Sequence, residues 1–191
     1  MIYEKIKERR TIRKYLEKEV PEEILIRCVD AARLSPSAAN LQPLKYVIVN
    51  DKNLLRKVFD ALKWAGYLPD ELKPKEENMP RAYIVILLDK TIRPNPGHDA
   101  GIAAMSISMV AYDEGLGSCI LGSINRGRLR KILNIPDHLE IVLVVALGYP
   151  AEKSVVDELR NGDVKYWVDE KGVLHVPKRD LESIVKWNKY R

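Results

Sequence analysis

Apolar positions fall into two kinds of segment along the chain, short unbroken runs and longer stretches with helical spacing, and their order predicts the elements. Tyr46-Val-Ile-Val49, Tyr83-Ile-Val-Ile-Leu-Leu88, Ser118-Cys-Ile-Leu121 and Ile141-Val-Leu-Val-Val-Ala-Leu147 have strand length and β-branched content, with no polar face for water. They predict a core sheet of at least four buried strands. Helices are predicted over residues 2–9, about 52–64 and 126–133, and over a segment with Pro21, Glu22 and Glu23 in its first turn. That segment carries Ile24, Cys28, Val29 and Ala32 along one face and should end before Pro36. A further helix, with Asp99 as N-cap and Gly115 just past its end, has no charged residue from Ala100 to Tyr112. Such a helix must be buried on every side, and it is too short to cross a bilayer, so the sheet or a second subunit must cover it. Pro69–Pro80 reads as a mobile surface loop, and Arg93–Gly97 as a tight turn. Periodicity is lost from Tyr149 until a short helix near 180–188. The expectation is one domain over 1–191, with 150–191 as a C-terminal arm.

Composition narrows the chemistry. Cys28 and Cys119 stand apart from each other and from His98, His138 and His175, so neither a CxxC pair nor a metal ligand set is expected. His98 and His138 read as surface or capping residues. The first residues lack a secretory apolar core, which predicts a cytoplasmic protein. Charged residues make up 31% of the chain, with Gln42 its only glutamine and Phe59 its only phenylalanine, a thermophile-like bias. The net charge of +5 is unevenly placed: residues 1–14 carry a surplus of four positive charges and residues 178–191 a surplus of three. No basic stripe with interleaved aromatics accompanies them, which argues against a nucleic-acid partner and for a compact anion such as phosphate.

Two constellations could hold such a ligand. In Arg9-Arg10-Thr11-Ile12-Arg13-Lys14-Tyr15, Arg9 and Arg13 share a face whether the segment is helical or extended. Two converging guanidiniums suit a bidentate phosphate contact, although a solvated basic turn at a helix end has the same composition. Ser35-Pro36-Ser37-Ala38-Ala39-Asn40-Leu41-Gln42-Pro43 combines short side chains with two amides, which would let a flat ring approach the backbone; an ordinary helix-to-strand loop also fits. Gly115 and Gly117 do not make a dinucleotide fingerprint, because the third glycine is missing and the helix precedes them.

Together these segments, RRTIRKY and SPSAANLQP, resemble the RRSxRxF and APSxxNxQPW signatures of the nitroreductase family. The run from Asp99 to Ala104 leading into Gly115–Gly122, then Leu147–Pro150 and Val176–Arg179, resembles its later motifs in the same order over nearly the whole chain. The resemblance implies an α+β fold, with a mainly antiparallel central sheet flanked by helices, in an intertwined homodimer with FMN at the subunit interface. It implies Arg9 and Arg10 near the phosphate and ribityl chain, Thr11 with them among the cofactor-binding residues, Arg13 near the pyrimidine edge, and Lys178 and Arg179 as a C-terminal phosphate clamp. Pro36, Ser37, Ala38 and Asn40 match the loop that reaches the flavin from the other subunit, and Leu121 and Gly122 match backbone near N5. The activity so implied is electron transfer from NADH or NADPH, through FMN, to a nitroaromatic, quinone or flavin in ping-pong order, with the flavin performing the chemistry and no catalytic side chain required. Dehalogenation, flavin fragmentation and non-catalytic flavin or nucleotide binding are the alternatives on the same scaffold. Thr11 replaces the usual serine, Leu44 and Ile120 stand where many members carry tryptophan, and Trp64 and Tyr67 lie near where mid-chain flavin contacts arise.

Overall fold

In a computed structural model, described for residues 1–190, the four apolar runs form one antiparallel sheet. Strands β1 (Leu44–Val49), β2 (Ala82–Asp89), β3 (Gly117–Leu121) and β4 (Leu139–Gly148) lie in the order β1-β2-β4-β3. The two central strands are apolar apart from Asp89 and Glu140 near one end, because both faces are covered. Along β2, Tyr83, Val85 and Leu87 enter one core cluster while Ala82, Ile84 and Ile86 enter another, as the two-residue period of a strand requires. Helices α3 (Lys52–Phe59) and α5 (Arg126–Leu133) cover the first face through Leu55, Val58 and Leu129. The second is covered by α2 (Glu22–Arg33), through Ile24, Leu25 and Cys28, and by α4 (Asp99–Asp113), through Ala103, Ile107 and Ala111. The short helix α1 (Ile2–Glu8) buries no residue and is tied to the end of α4 by Tyr112 Oη, which donates to Glu8 Oε2 at 2.8 Å, and by a Lys5–Asp113 ion pair.

Several elements differ from the sequence pattern. The helix predicted to run to residue 64 stops at Phe59, because Leu62 bridges Ile124 and Lys63 N donates to Ser123 O at 3.0 Å. His98, not Asp99, is the N-cap of α4, and the Asp99 carboxylate is used elsewhere. One side of α4 is uncovered within the chain: Gly101 is exposed, Ile102 is 38% exposed, and Met105 and Met109 are half-buried. Pro69–Pro80 is pinned rather than loose, with Pro74, Met79 and Pro80 buried and Asn78 O accepting from Tyr15 N at 2.9 Å. After Tyr149, where no element was predicted before residue 180, strands β5 (Ser154–Glu158), β6 (Trp167–Val168) and β7 (Leu174–Lys178) form a second sheet in the order β5-β7-β6. Its Leu174 plugs the first core cluster. The terminal helix α6 is only Leu181–Ile184. Among the described residues no helix is long and apolar enough to cross a membrane.

Candidate functional site

Beyond α1 the chain leaves the helix at Arg9 and runs extended along the open edge of β3. Thr11 bridges Ser118, and Ile12 N donates to Ser118 O at 2.9 Å. The approach is close enough to require glycine in the sheet: a Cβ on Gly117 would lie 2.7 Å from Ile12 Cβ, and one on Gly148 would lie 2.8 Å from Tyr15 Cδ1. Tyr15 is fully buried and donates its hydroxyl to Ile12 O at 2.5 Å; burial holds its pKa well above the ordinary phenol range. With Ile12 and Tyr15 turned inward, the three arginines are left at the margin of the fold.

Arg10 reaches back to the carbonyls of Ile6 at 3.0 Å and Lys7 at 2.7 Å, at the negative end of α1. Arg13 lies over the Tyr166 ring at 4.7 Å. Arg9 Nε, Arg10 Nε and Arg13 Nη1 are buried with no hydrogen-bond partner, and among the described residues no carboxylate pairs with any of the three side chains. Desolvation lowers the pKa of Arg9 and Arg10, and for Arg10 the charge of Arg9 adds to it. Of the nearby acids, Glu8 accepts from Tyr112 Oη, and Glu152 accepts from the backbone N–H of Arg13 at 2.5 Å and of Lys14 at 3.3 Å, fixing the main chain and leaving the guanidiniums available. A cluster of cations with unmet donors and no internal anion is suited to an external one. Cys119 on β3 offers no thiolate at neutral pH, since burial raises its pKa to about 11.

Tyr166 packs against Tyr67, ring centroids 5.1 Å apart, and its hydroxyl accepts from Tyr67 N at 3.4 Å. Trp64, by contrast, is a core residue stacked on Phe59 at 5.2 Å, its indole N–H directed to Phe59 O at 3.3 Å. Farther along β3, Leu121 is buried and Ile120 is 41% exposed. Gly122 is exposed, and a Cβ there would meet only Leu143 Cδ2 at 3.8 Å, so its backbone is open to a ligand. Lys178 and Arg179 are exposed at the end of β7, and among the described residues neither side chain makes a hydrogen bond or an ion pair.

The second constellation lies elsewhere. Pro36, Ala38, Ala39, Asn40 and Gln42 are exposed on a loop in which Ala39, Asn40 and Gln42 have φ of 52°, 54° and 50°. Ser37 donates its hydroxyl to Asp99 Oδ2 at 2.6 Å, and Ala38 N donates to Asp99 Oδ1 at 3.3 Å. Beside it is a cavity of about 210 Å³ lined by Ser37, Gln42, Tyr46 and Asp99. Burial and the Asp99 charge push the Tyr46 phenol up to about 12. The loop is therefore attached at the N-terminus of α4, whereas α1 and the arginine segment meet its C-terminus through Tyr112 and Asp113. The two constellations thus attach at opposite ends of α4, a 15-residue helix roughly 20 Å long at 1.5 Å per residue.

The sequence located the arginine cluster and the loop, but not Glu152, Tyr166 or the side-chain role of Asp99. These act through contacts distant in sequence, and only Asp99, within a recognisable helix start, carried a local signal. Among the described residues no group of histidine, cysteine and acidic side chains is placed to hold a metal ion.

Comparison with known proteins bears on the family and the fold. The model of the Nitroreductase family matches residues 6–149. A Methanothermobacter thermautotrophicus protein named as an NADH dehydrogenase/NAD(P)H nitroreductase is 31% identical, over 85% of this chain and 84% of its own. An iodotyrosine deiodinase of Haliscomenobacter hydrossis is 27% identical over 84% of each. A solved FMN-dependent nitroreductase of Clostridium difficile superposes with a TM-score of 0.71 at 26% identity, over 97% of this chain and 98% of its own.

Proposed function

Because the chain belongs to the nitroreductase family, we propose that it is an FMN-dependent oxidoreductase that uses NADH or NADPH to reduce a small electrophilic acceptor, acting as a homodimer. The observation that carries this reading is the set of orphaned guanidinium nitrogens on Arg9, Arg10 and Arg13. A buried donor without an acceptor costs about 1–3 kcal/mol, and a flavin phosphate with its ribityl and pyrimidine oxygens supplies acceptors of the required kind. Arg9 and Arg10 would hold the phosphate end, with the Thr11 hydroxyl beside them. Lys178 and Arg179, unpaired among the described residues, would add positive charge to the same anion.

Bound FMN would supply the two-electron chemistry between nicotinamide and acceptor, in ping-pong order. The protein's share is placement and electrostatics. Tyr166 lies against the Arg13 guanidinium, and the unmet Arg13 donors would serve the pyrimidine carbonyls of bound FMN, where negative charge would develop. The open backbone at Gly122, next to Leu121, lets a flat ring approach the sheet edge. The Pro36–Asn40 loop attaches at the opposite end of the roughly 20 Å long α4 from its own arginine cluster, so it would serve the site of a second subunit. The uncovered face of α4 at Gly101, Ile102 and Met105 gives that subunit a surface to meet.

The test is the purified protein. It should be yellow, release FMN on denaturation, and bleach anaerobically with NADH or NADPH; comparison of the two nicotinamides fixes the donor. A colourless protein that cannot be reconstituted with FMN overturns the reading, and bound flavin that neither donor bleaches makes it a binder rather than an enzyme. The iodotyrosine deiodinase among the relatives favours a second reading, reductive dehalogenation. Iodide release from monoiodotyrosine, run beside nitroaromatic, quinone and free-flavin acceptors, separates the two.

A further inference from the structure

We propose that Asp99 is a positioning residue that locks the Ser37–Gln42 loop onto the start of α4 and so couples subunit pairing to FMN binding, an inference that rests on the FMN reading above. Asp99 is a carboxylate only 4% exposed, and burial at that level requires partners. It has the Ser37 hydroxyl at 2.6 Å, the Ala38 N–H at 3.3 Å, and Arg93 Nη1 at 3.9 Å. Arg93 Nη1 is itself buried without a hydrogen bond, so the ion pair is the partner it has.

The loop depends on this carboxylate. Among the described residues, every hydrogen bond reaching residues 36–42 from outside the loop comes from Asp99. The Ser37 hydroxyl also accepts from Gln42 N at 3.0 Å, so a single side chain closes the loop and hands it to the helix. Between those points Ala39, Asn40 and Gln42 hold left-handed conformations, which asparagine tolerates but which cost residues such as alanine and glutamine roughly 1–2 kcal/mol each. A free loop would relax out of that shape. With Asp99 in place, the small side chains offered to a flavin and the uncovered face of α4 at Gly101, Ile102 and Met105 form one rigid unit. Ordering by the cofactor and ordering by the second subunit then reinforce each other by equal factors, as linkage requires.

The test uses the full chain with FMN removed and added back, comparing Asp99→Ala, Asp99→Asn, Ser37→Ala and the Asp99→Ala/Ser37→Ala pair. FMN affinity is read by quenching of flavin fluorescence, and dimer affinity by sedimentation with and without FMN. Loss of this lock should weaken FMN binding about 10–100-fold in Asp99→Ala. A smaller loss is expected in Asp99→Asn, which keeps one acceptor. The paired variant should be no worse than Asp99→Ala, and the tightening of the dimer by FMN should fall by the same factor as the affinity. If Asp99→Ala melts at a lower temperature yet binds FMN as wild type does, the residue is merely structural and the proposal fails. Ser37→Ala leaves α4 intact, so unchanged FMN affinity in that variant overturns the proposal even where Asp99 variants do not fold. Wild-type protein that binds no FMN is a different result, which removes the functional reading along with this one.

Discussion

The guanidinium carbon of Arg13 stands 4.7 Å from the centroid of the Tyr166 ring, and its Nη1 is buried with no acceptor. The ring lies beside the guanidinium while one of its donors stays unmet. Arg13→Ala should therefore act on chemistry more than on binding. The expected outcome is about 100-fold slower reduction by NAD(P)H in stopped flow, within the range for loss of one preorganised donor, with less than about tenfold loss of FMN affinity. Equal reduction rates in variant and wild type would remove Arg13 from the reactive end of the site.

Tyr166 acts through Arg13, so its variants should grade by ring and hydroxyl. Tyr166→Phe keeps the ring and loses only the acceptor for Tyr67 N, a long contact of 3.4 Å. Near-wild-type reduction is expected. Tyr166→Leu removes a cation–π contact worth about 0.5–2 kcal/mol, and should slow reduction up to about tenfold while leaving the melting temperature within a few degrees. Identical rates for the two variants would show that Arg13 orients without the ring.

Gly117 tests the approach of the arginine segment to the sheet. A Cβ there would meet Ile12 Cβ at 2.7 Å, and Ile12 is buried, so neither side can yield freely. Gly117→Ala should destabilise by about 1–3 kcal/mol and displace Arg9–Arg13 with it, weakening FMN binding as well. Gly122→Ala, with only Leu143 Cδ2 at 3.8 Å, should fold with unchanged stability. A denaturant titration of both variants checks the contrast.

The parts visible in the sequence were those whose physics is local. The strands β2 and β4 are buried on both faces, so their runs of apolar residues needed no partner to be recognised. Helix α4 announced itself by lacking charge, although the cover it requires is incomplete within one chain. The second sheet escaped because β6 is only two residues long and β5, Ser-Val-Val-Asp-Glu, has neither an unbroken apolar run nor an alternation of apolar and polar residues. Its parallel β5–β7 pairing has no turn signature between adjacent strands. Glu152 under Arg13, Tyr166 against Arg13 and Asp99 under Ser37 are side-chain contacts across long stretches of chain, and no spacing rule encodes them.

Arg9 should distinguish FMN from riboflavin. Its Nε is buried without a partner, and no acid neutralises it within the described residues. Its contribution should therefore be directed at the phosphate. Arg9→Ala is expected to cost about 1.5–3 kcal/mol of FMN binding, the range of a charge-assisted hydrogen bond, and to leave riboflavin affinity nearly unchanged. The salt dependence of FMN binding should flatten in the same variant. Parallel loss for both ligands would place Arg9 away from the phosphate.

Alkaline pH should weaken the fold before it affects any surface ion pair. Cys28 and Cys119 are buried thiols whose pKa values rise from an ordinary 9 to about 12 and about 11, through desolvation. In the unfolded chain both ionise near pH 9, so between there and pH 11–12 the unfolded state binds fewer protons than the folded one, and stability falls as pH rises. The stabilisation is complete below about pH 8 and is lost as pH climbs through the folded values. Tyr15 and Tyr46, both shifted upward by burial, extend the same trend. Melting temperatures taken from pH 8 to pH 11 should therefore decline, and a Cys28→Ala/Cys119→Ala variant, less stable at pH 8 through lost packing, should decline less steeply. A variant that follows the wild-type slope would assign the alkaline loss to the tyrosines alone.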